Sequence, residues 1–119
     1  MTLKQQVCYE PCANCPFRTD IAPFLSKWKA MEIVRGMRER REFLCHKTLN
    51  YRDGVRGKQT PNTRTCAGYA VICENEGLPT LKMMIAAPMG LYDRARLNMD
   101  APVHKTAAAF IAANAEPSL

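Results

Sequence analysis

The chain has 119 residues, 47% of them apolar and 24% charged, a make-up that excludes wholesale disorder and fits one domain over 1–119. Its 17 basic and 11 acidic residues leave a net charge of +6, and six cysteines stand against only two histidines. No apolar stretch follows Lys4, and the longest uncharged runs, 83–92 and 106–115, are about half the length needed to span a bilayer. The expectation is a soluble, cytoplasmic protein with no membrane role. In that compartment thiols stay reduced, so clustered cysteines point to metal ligation or catalysis rather than to disulfides.

In chain order, residues 1–25 read as an irregular, cysteine-bearing arm interrupted by Pro11, Pro16 and Pro23. Ser26 is a suitable N-cap for a helix from Lys27 to about Arg41. On it Trp28, Met31, Val34 and Met37 recur every third residue as one apolar stripe, with Lys27, Lys29, Arg35, Arg38, Arg40 and Arg41 around it. Residues 42–48 read as a short extended piece and 49–65 as a long polar loop, of the kind that is functional or mobile. A short buried helix is expected from Cys66, stopped at Gly77, and another turn or two over 81–87, ended by Pro88. Asp100 with Pro102 predicts the start of a last helix over 103–113, before a frayed tail at 115–119. The fold class expected is mainly α, a small single domain with long loops organised around one four-cysteine metal centre.

The chemistry lies in the cysteines. Cys12-x-x-Cys15-Pro16 is a knuckle whose two sulfurs can face one metal with backbone N–H groups directed at them. Cys45 and Cys66, each beside polar or turn-forming residues, complete a four-thiolate set from three chain segments, the kind of staple a small core needs. One pair plus two single cysteines, with proline directly after a ligand, favours a [4Fe–4S] cluster; the base rate of small intracellular proteins favours Zn2+. Cys8-x3-Cys12-x2-Cys15 has the spacing of a radical-SAM cluster, but that chemistry rests on a larger barrel-like scaffold. Cys8 therefore reads as a reserve thiol or a partly buried small side chain, and Cys73 as a core residue. A thioredoxin-like role for Cys12 and Cys15 lacks the strand and helix it requires. His46 follows Cys45, and neighbours in an extended segment point to opposite sides. His46 is a structural histidine, a substitute ligand, or a group in the surroundings of the centre; Lys47 and Arg18 flank the cysteines, where their charge balances thiolates. His104 reads as a surface or packing residue in the last helix.

The blocks Cys12-x-x-Cys15-Pro16-Phe17-Arg18, Phe43-Leu44-Cys45-His46-Lys47-Thr48 and Cys66-Ala67-Gly68-Tyr69 resemble a family of small, largely uncharacterised bacterial and phage proteins. The resemblance implies that Cys12, Cys15, Cys45 and Cys66 act as a set. It places Cys8 and Cys73 outside the pattern and implies no particular activity.

Residues 26–65 hold 11 basic and four acidic groups, a net +7 that exceeds the charge of the whole chain. Arg35, Arg38, Arg41, Arg52, Arg56, Lys58 and Arg64 are candidates to bind phosphate, in nucleic acid, or an acidic protein surface. Such a charge run is equally a solvated face with a loop. Aromatic residues for stacking are sparse there, Tyr51 being the one in the basic loop. The first functional expectation is a metal-binding regulatory or interaction factor. The alternative is an iron–sulfur protein that carries electrons or senses oxidants. An enzyme using Cys45 and His46 ranks third, since no paired carboxylates, glycine-rich phosphate loop or serine triad signature is present.

Overall fold

A computed structural model describes residues 5–45 and 63–114. Four α-helices occur among them: α1 (Lys27–Arg38), α2 (Ala67–Glu76), α3 (Leu81–Ala86) and α4 (Ala107–Ala113), with a 3-10 turn at Arg94–Arg96. Isolated β-bridges join the segments between helices. The mainly helical class is as expected. The readings for His46, Lys47, Tyr51, Arg52, Arg56, Lys58 and the 115–119 tail lie outside the described residues.

α1 starts where the sequence places it. The Ser26 hydroxyl accepts the Lys29 N–H at 3.1 Å, the N-cap bond. Its end differs. The Arg40 backbone is left-handed at φ 62°, the Arg41 N–H donates to the Gly36 carbonyl at 2.9 Å, and the Arg40 N–H donates to the Met37 carbonyl at 3.0 Å. These bonds form a Schellman stop, normally signalled by glycine, written here with an arginine. The Arg40 guanidinium donates to the Pro79 carbonyl at 3.0 Å, which ties the strained residue to the loop before α3.

The apolar stripe of α1 also differs from the reading by threes. Its buried residues are Ala30, Ile33, Val34 and Met37, while Trp28 and Met31 are 76% and 40% exposed. Each three-residue step falls about 60° short of a full helical turn, so a stripe drawn by threes crosses from the outer face to the inner one. The i, i+3, i+4, i+7 set at 30, 33, 34 and 37 is the true core face.

α2 is buried from Ala67 to Cys73 and crosses the centre of the core. Gly77, at φ 69°, closes it as expected. α4 begins at Ala107 rather than near 103, with Thr106 as N-cap accepting the Ala109 N–H at 3.1 Å. The residues before it are spent on pairing. Val103 bridges Arg18 in antiparallel fashion, His104 N–H donates to Phe17 O at 2.8 Å, and Thr19 N–H donates to Pro102 O at 2.8 Å. His104 therefore sits on an extended segment. It is half-buried against Phe110, and burial lowers its pKa.

The first segment has no helix, but it is part of the core. Val7, Cys15 and Phe17 are wholly buried. Phe17 lies edge-on to Phe43 and Tyr69 at centroid distances of 5.3 and 5.8 Å, and tilts against Phe110 at 4.6 Å. This aromatic group fastens the arm to α2 and α4.

Candidate metal centre

Thr65 organises the site. It lies in the stretch read as the end of a polar loop, yet it is fully buried and central to three short extended segments. Val7 pairs with it in parallel and Leu44 in antiparallel fashion. On one side Thr65 N–H donates to Gln6 O and Cys8 N–H to Thr65 O, both at 2.9 Å. On the other, Cys45 N–H donates to Arg64 O at 2.8 Å and Cys66 N–H to Phe43 O at 2.9 Å. Side chains alternate along extended backbone. Val7, Leu44 and Thr65 therefore share one face, and Cys8, Cys45 and Cys66 share the other. The Thr65 hydroxyl donates to a Glu42 carboxylate oxygen at 2.7 Å; the other oxygen accepts the Lys82 N–H at 3.0 Å. Glu42 thus anchors this small platform to the start of α3.

The knuckle delivers the next sulfur. Cys15 N–H donates to Cys12 O at 3.1 Å, closing the turn, and Arg18 N–H donates to Cys15 O at 3.2 Å. The Cys15 and Cys66 sulfurs stand 3.5 Å apart. That is far beyond a disulfide bond of about 2.05 Å. It is close to the edge, about 3.8 Å, of a tetrahedron of thiolates bound at about 2.3 Å.

The electrostatics of the pair are asymmetric. Cys15 is held below its ordinary pKa by the hydrogen bond from the Cys66 thiol, then by the Phe17 and Gly68 backbone N–H groups, against the opposing effect of burial. Cys66 is pushed well up by that same bond and by burial, opposed by N–H groups of Tyr69 and Gly68. Of the two, Cys15 is the thiol more readily ionised. Cys66 is also the N-cap position of α2, where free backbone N–H groups favour negative charge.

Cys8 and Cys45 form a second pair, joined by a side-chain hydrogen bond; that bond and burial push the Cys8 pKa up, and Cys12 and Arg64 both act on it. Cys12 is half-buried. The structure thus pairs Cys15 with Cys66 and Cys8 with Cys45, with Cys12 acting on Cys8. Among the described residues, no group of three or more His, Cys, Asp or Glu side chains is arranged to hold a metal ion; the sulfur contacts run in pairs. Cys73, two turns along α2, is buried and interacts with Glu42 and Glu74 rather than with the other thiols.

The charged candidates separate. Arg18 forms a two-bond ion pair with Asp20, at 2.7 and 2.6 Å, and donates to the Cys12 carbonyl at 3.3 Å. It braces the knuckle through its backbone. Arg64 is half-buried and acts on Cys8. Arg35 and Arg38 are exposed on α1, and Arg41 is exposed and paired with Glu39 at 3.1 Å.

Sequence reasoning missed two residues here. Gly68 is one: a Cβ on it would lie 2.8 Å from the Cys15 sulfur and 2.8 Å from the Phe17 Cβ. Its signal was its place two residues after Cys66 in the Cys66-Ala67-Gly68-Tyr69 block. Thr65 is the other, and nothing local marks a threonine beside a polar loop as buried.

With this geometry in place, comparison with known proteins gives one match. A family model covers residues 7–118. The chain belongs to DUF6283, a family of unknown function. No curated protein and no solved structure matches this DUF6283 chain. Membership of an uncharacterised family agrees with the resemblance drawn from the cysteine blocks. No helix among the described residues is long and apolar enough to cross a membrane.

Proposed function

We propose that this DUF6283 chain is a small metal-binding protein whose centre is held by Cys12, Cys15, Cys45 and Cys66, with a [4Fe–4S] cluster favoured over Zn2+. The cluster preference rests on the cysteine spacing; the observation that supports a metal centre as such is the Cys15–Cys66 pair, 3.5 Å apart, a separation that suits two thiolates on one ion, with the Phe17 and Gly68 N–H groups directed at the Cys15 sulfur. Backbone donors to sulfur are what bound thiolates require. Cys45 and Cys66 already lie on paired backbone segments and Cys15 already meets Cys66; a centre of these four would need Cys45 to turn from Cys8 and Cys12 to turn inward, both by side-chain torsion. A metal there would replace the proton shared by Cys15 and Cys66 and join the arm, the segment after α1 and the start of α2.

The same reading takes the cysteine blocks as the family's ligand signature and gives the protein a regulatory or interaction role in a bacterial or phage setting. The exposed basic face of α1 would meet a phosphate-bearing or acidic partner. A second reading, oxidant sensing or electron transfer, draws on Cys8 and Cys12, which are half-buried and so within reach of small reactants.

Anaerobic purification followed by elemental analysis and a visible spectrum tests the first part. A brown protein that bleaches in air, with iron and sulfide bound, supports the cluster; a colourless one that unfolds with a chelator supports zinc; neither metal refutes the centre. Retention on a phosphate-bearing resin that weakens steeply with salt supports the second part. No retention refutes it.

A further inference from the structure

We infer that the outer face of α1 binds single-stranded nucleic acid, with Trp28 as the platform on which an unpaired base stacks. This rests on the phosphate-bearing partner proposed above and names its class. Trp28, Met31, Arg35 and Arg38 fall within about 80° of the helix circumference at 100° per residue. All four are exposed, and Trp28 is 76% exposed. An indole bared to that extent on a folded helix marks a contact surface, since tryptophan is ordinarily well covered. Phe24, 59% exposed, lies just before the same helix begins.

The charge around the indole is one-sided. Among the described residues no carboxylate pairs with Arg35 or Arg38. Glu32, the acidic residue of α1, is turned to Lys29 at 3.8 Å. An aromatic plate followed along one stripe by two guanidinium groups suits a strand that offers both a bare base and its adjoining phosphates. A duplex hides its base faces in the stack, and a run of carboxylates matches the guanidinium groups but not the indole. Arginine side chains on a helix lean toward its N-terminus, which brings Arg35 and Arg38 back toward Trp28.

Trp28 is the sole tryptophan of the chain, so its fluorescence reports on this face alone. The experiment titrates the full chain with a short oligodeoxythymidylate, a duplex of equal length, inorganic polyphosphate and a poly-aspartate peptide. The single strand is expected to quench Trp28 and to bind more tightly than the other three, with salt weakening it. Trp28→Ala should weaken single-strand binding by about tenfold or more, and Trp28→Phe by less, both with unchanged circular dichroism. Arg35→Gln with Arg38→Gln should reduce the salt slope. Binding of any of these ligands without change at Trp28, or equal binding of duplex, polyphosphate or peptide, overturns the stacking platform while leaving a basic interface. Failure of every polyanion to bind refutes the partner reading as well.

Discussion

At Gly68 helix α2 comes as near to the knuckle as a backbone can, because the space a methyl group would fill is held by Cys15 and Phe17. Gly68→Ala should therefore push the Cys15 sulfur away from the N–H groups that stabilise it. A cost of about 1–3 kcal/mol is expected from overpacking, read as a lower denaturant midpoint, together with reduced metal content. On the proposed centre, Cys12→Ser or Cys45→Ser should lower metal content and destabilise the whole fold, whereas Cys73→Ser should leave metal content unchanged. Metal stoichiometry on the purified variants checks all three. Cys73 reports on burial instead. Its thiol is pushed up from 9.0 to about 12, chiefly by burial, then by Glu42 and Glu74. A thiol raised in the folded state contributes stability in full below 9.0, and that contribution is lost as the pH climbs toward 12. Urea midpoints measured across this window should fall with rising pH, and fall less steeply in Cys73→Ala.

Among the elements, α1 shows most clearly what local sequence specifies. Ser26 announced its start because an N-cap is a short-range bond to the Lys29 N–H. Ser26→Ala should cost about 1 kcal/mol in chemical denaturation, with metal content unchanged because the cap lies away from the cysteines. Its end was not legible, since the left-handed stop falls on Arg40, a residue that advertises no turn, and is held by the distant Pro79 carbonyl. Trp28 and Met31 fall in one stripe with Val34 and Met37 when read by threes, because hydrophobicity alone does not say which of two neighbouring stripes meets the core; the packing of α1 on α4 decides that. α4 starts late for a related reason. Residues 102–104 are claimed by pairing with the arm at 17–19, a long-range choice that overrides the proline cue. By contrast Gly77 marked the end of α2 through bonds made within a few residues; Thr80, the N-cap of α3, accepts the Met83 N–H but was not singled out in the sequence.

On the scale of the molecule, the arm, the segment after α1 and the start of α2 meet at Thr65 and at the thiols on the opposite face of its platform. Spacing and neighbours singled out Cys15 and Cys66, whose sulfurs meet at 3.5 Å. The place of Cys8 was not, because it depends on the parallel bridge between Val7 and Thr65, 58 positions apart in the chain. In a protein this small the core alone gives a narrow margin of stability, and a bound ion or cluster at this junction would couple metal binding to folding. Metal analysis of anaerobically purified, full-length protein tests that account most directly. It predicts one iron–sulfur cluster or one zinc ion per chain, with unfolding on its removal. A well-folded protein carrying neither iron nor zinc, whose stability is indifferent to both, would contradict it.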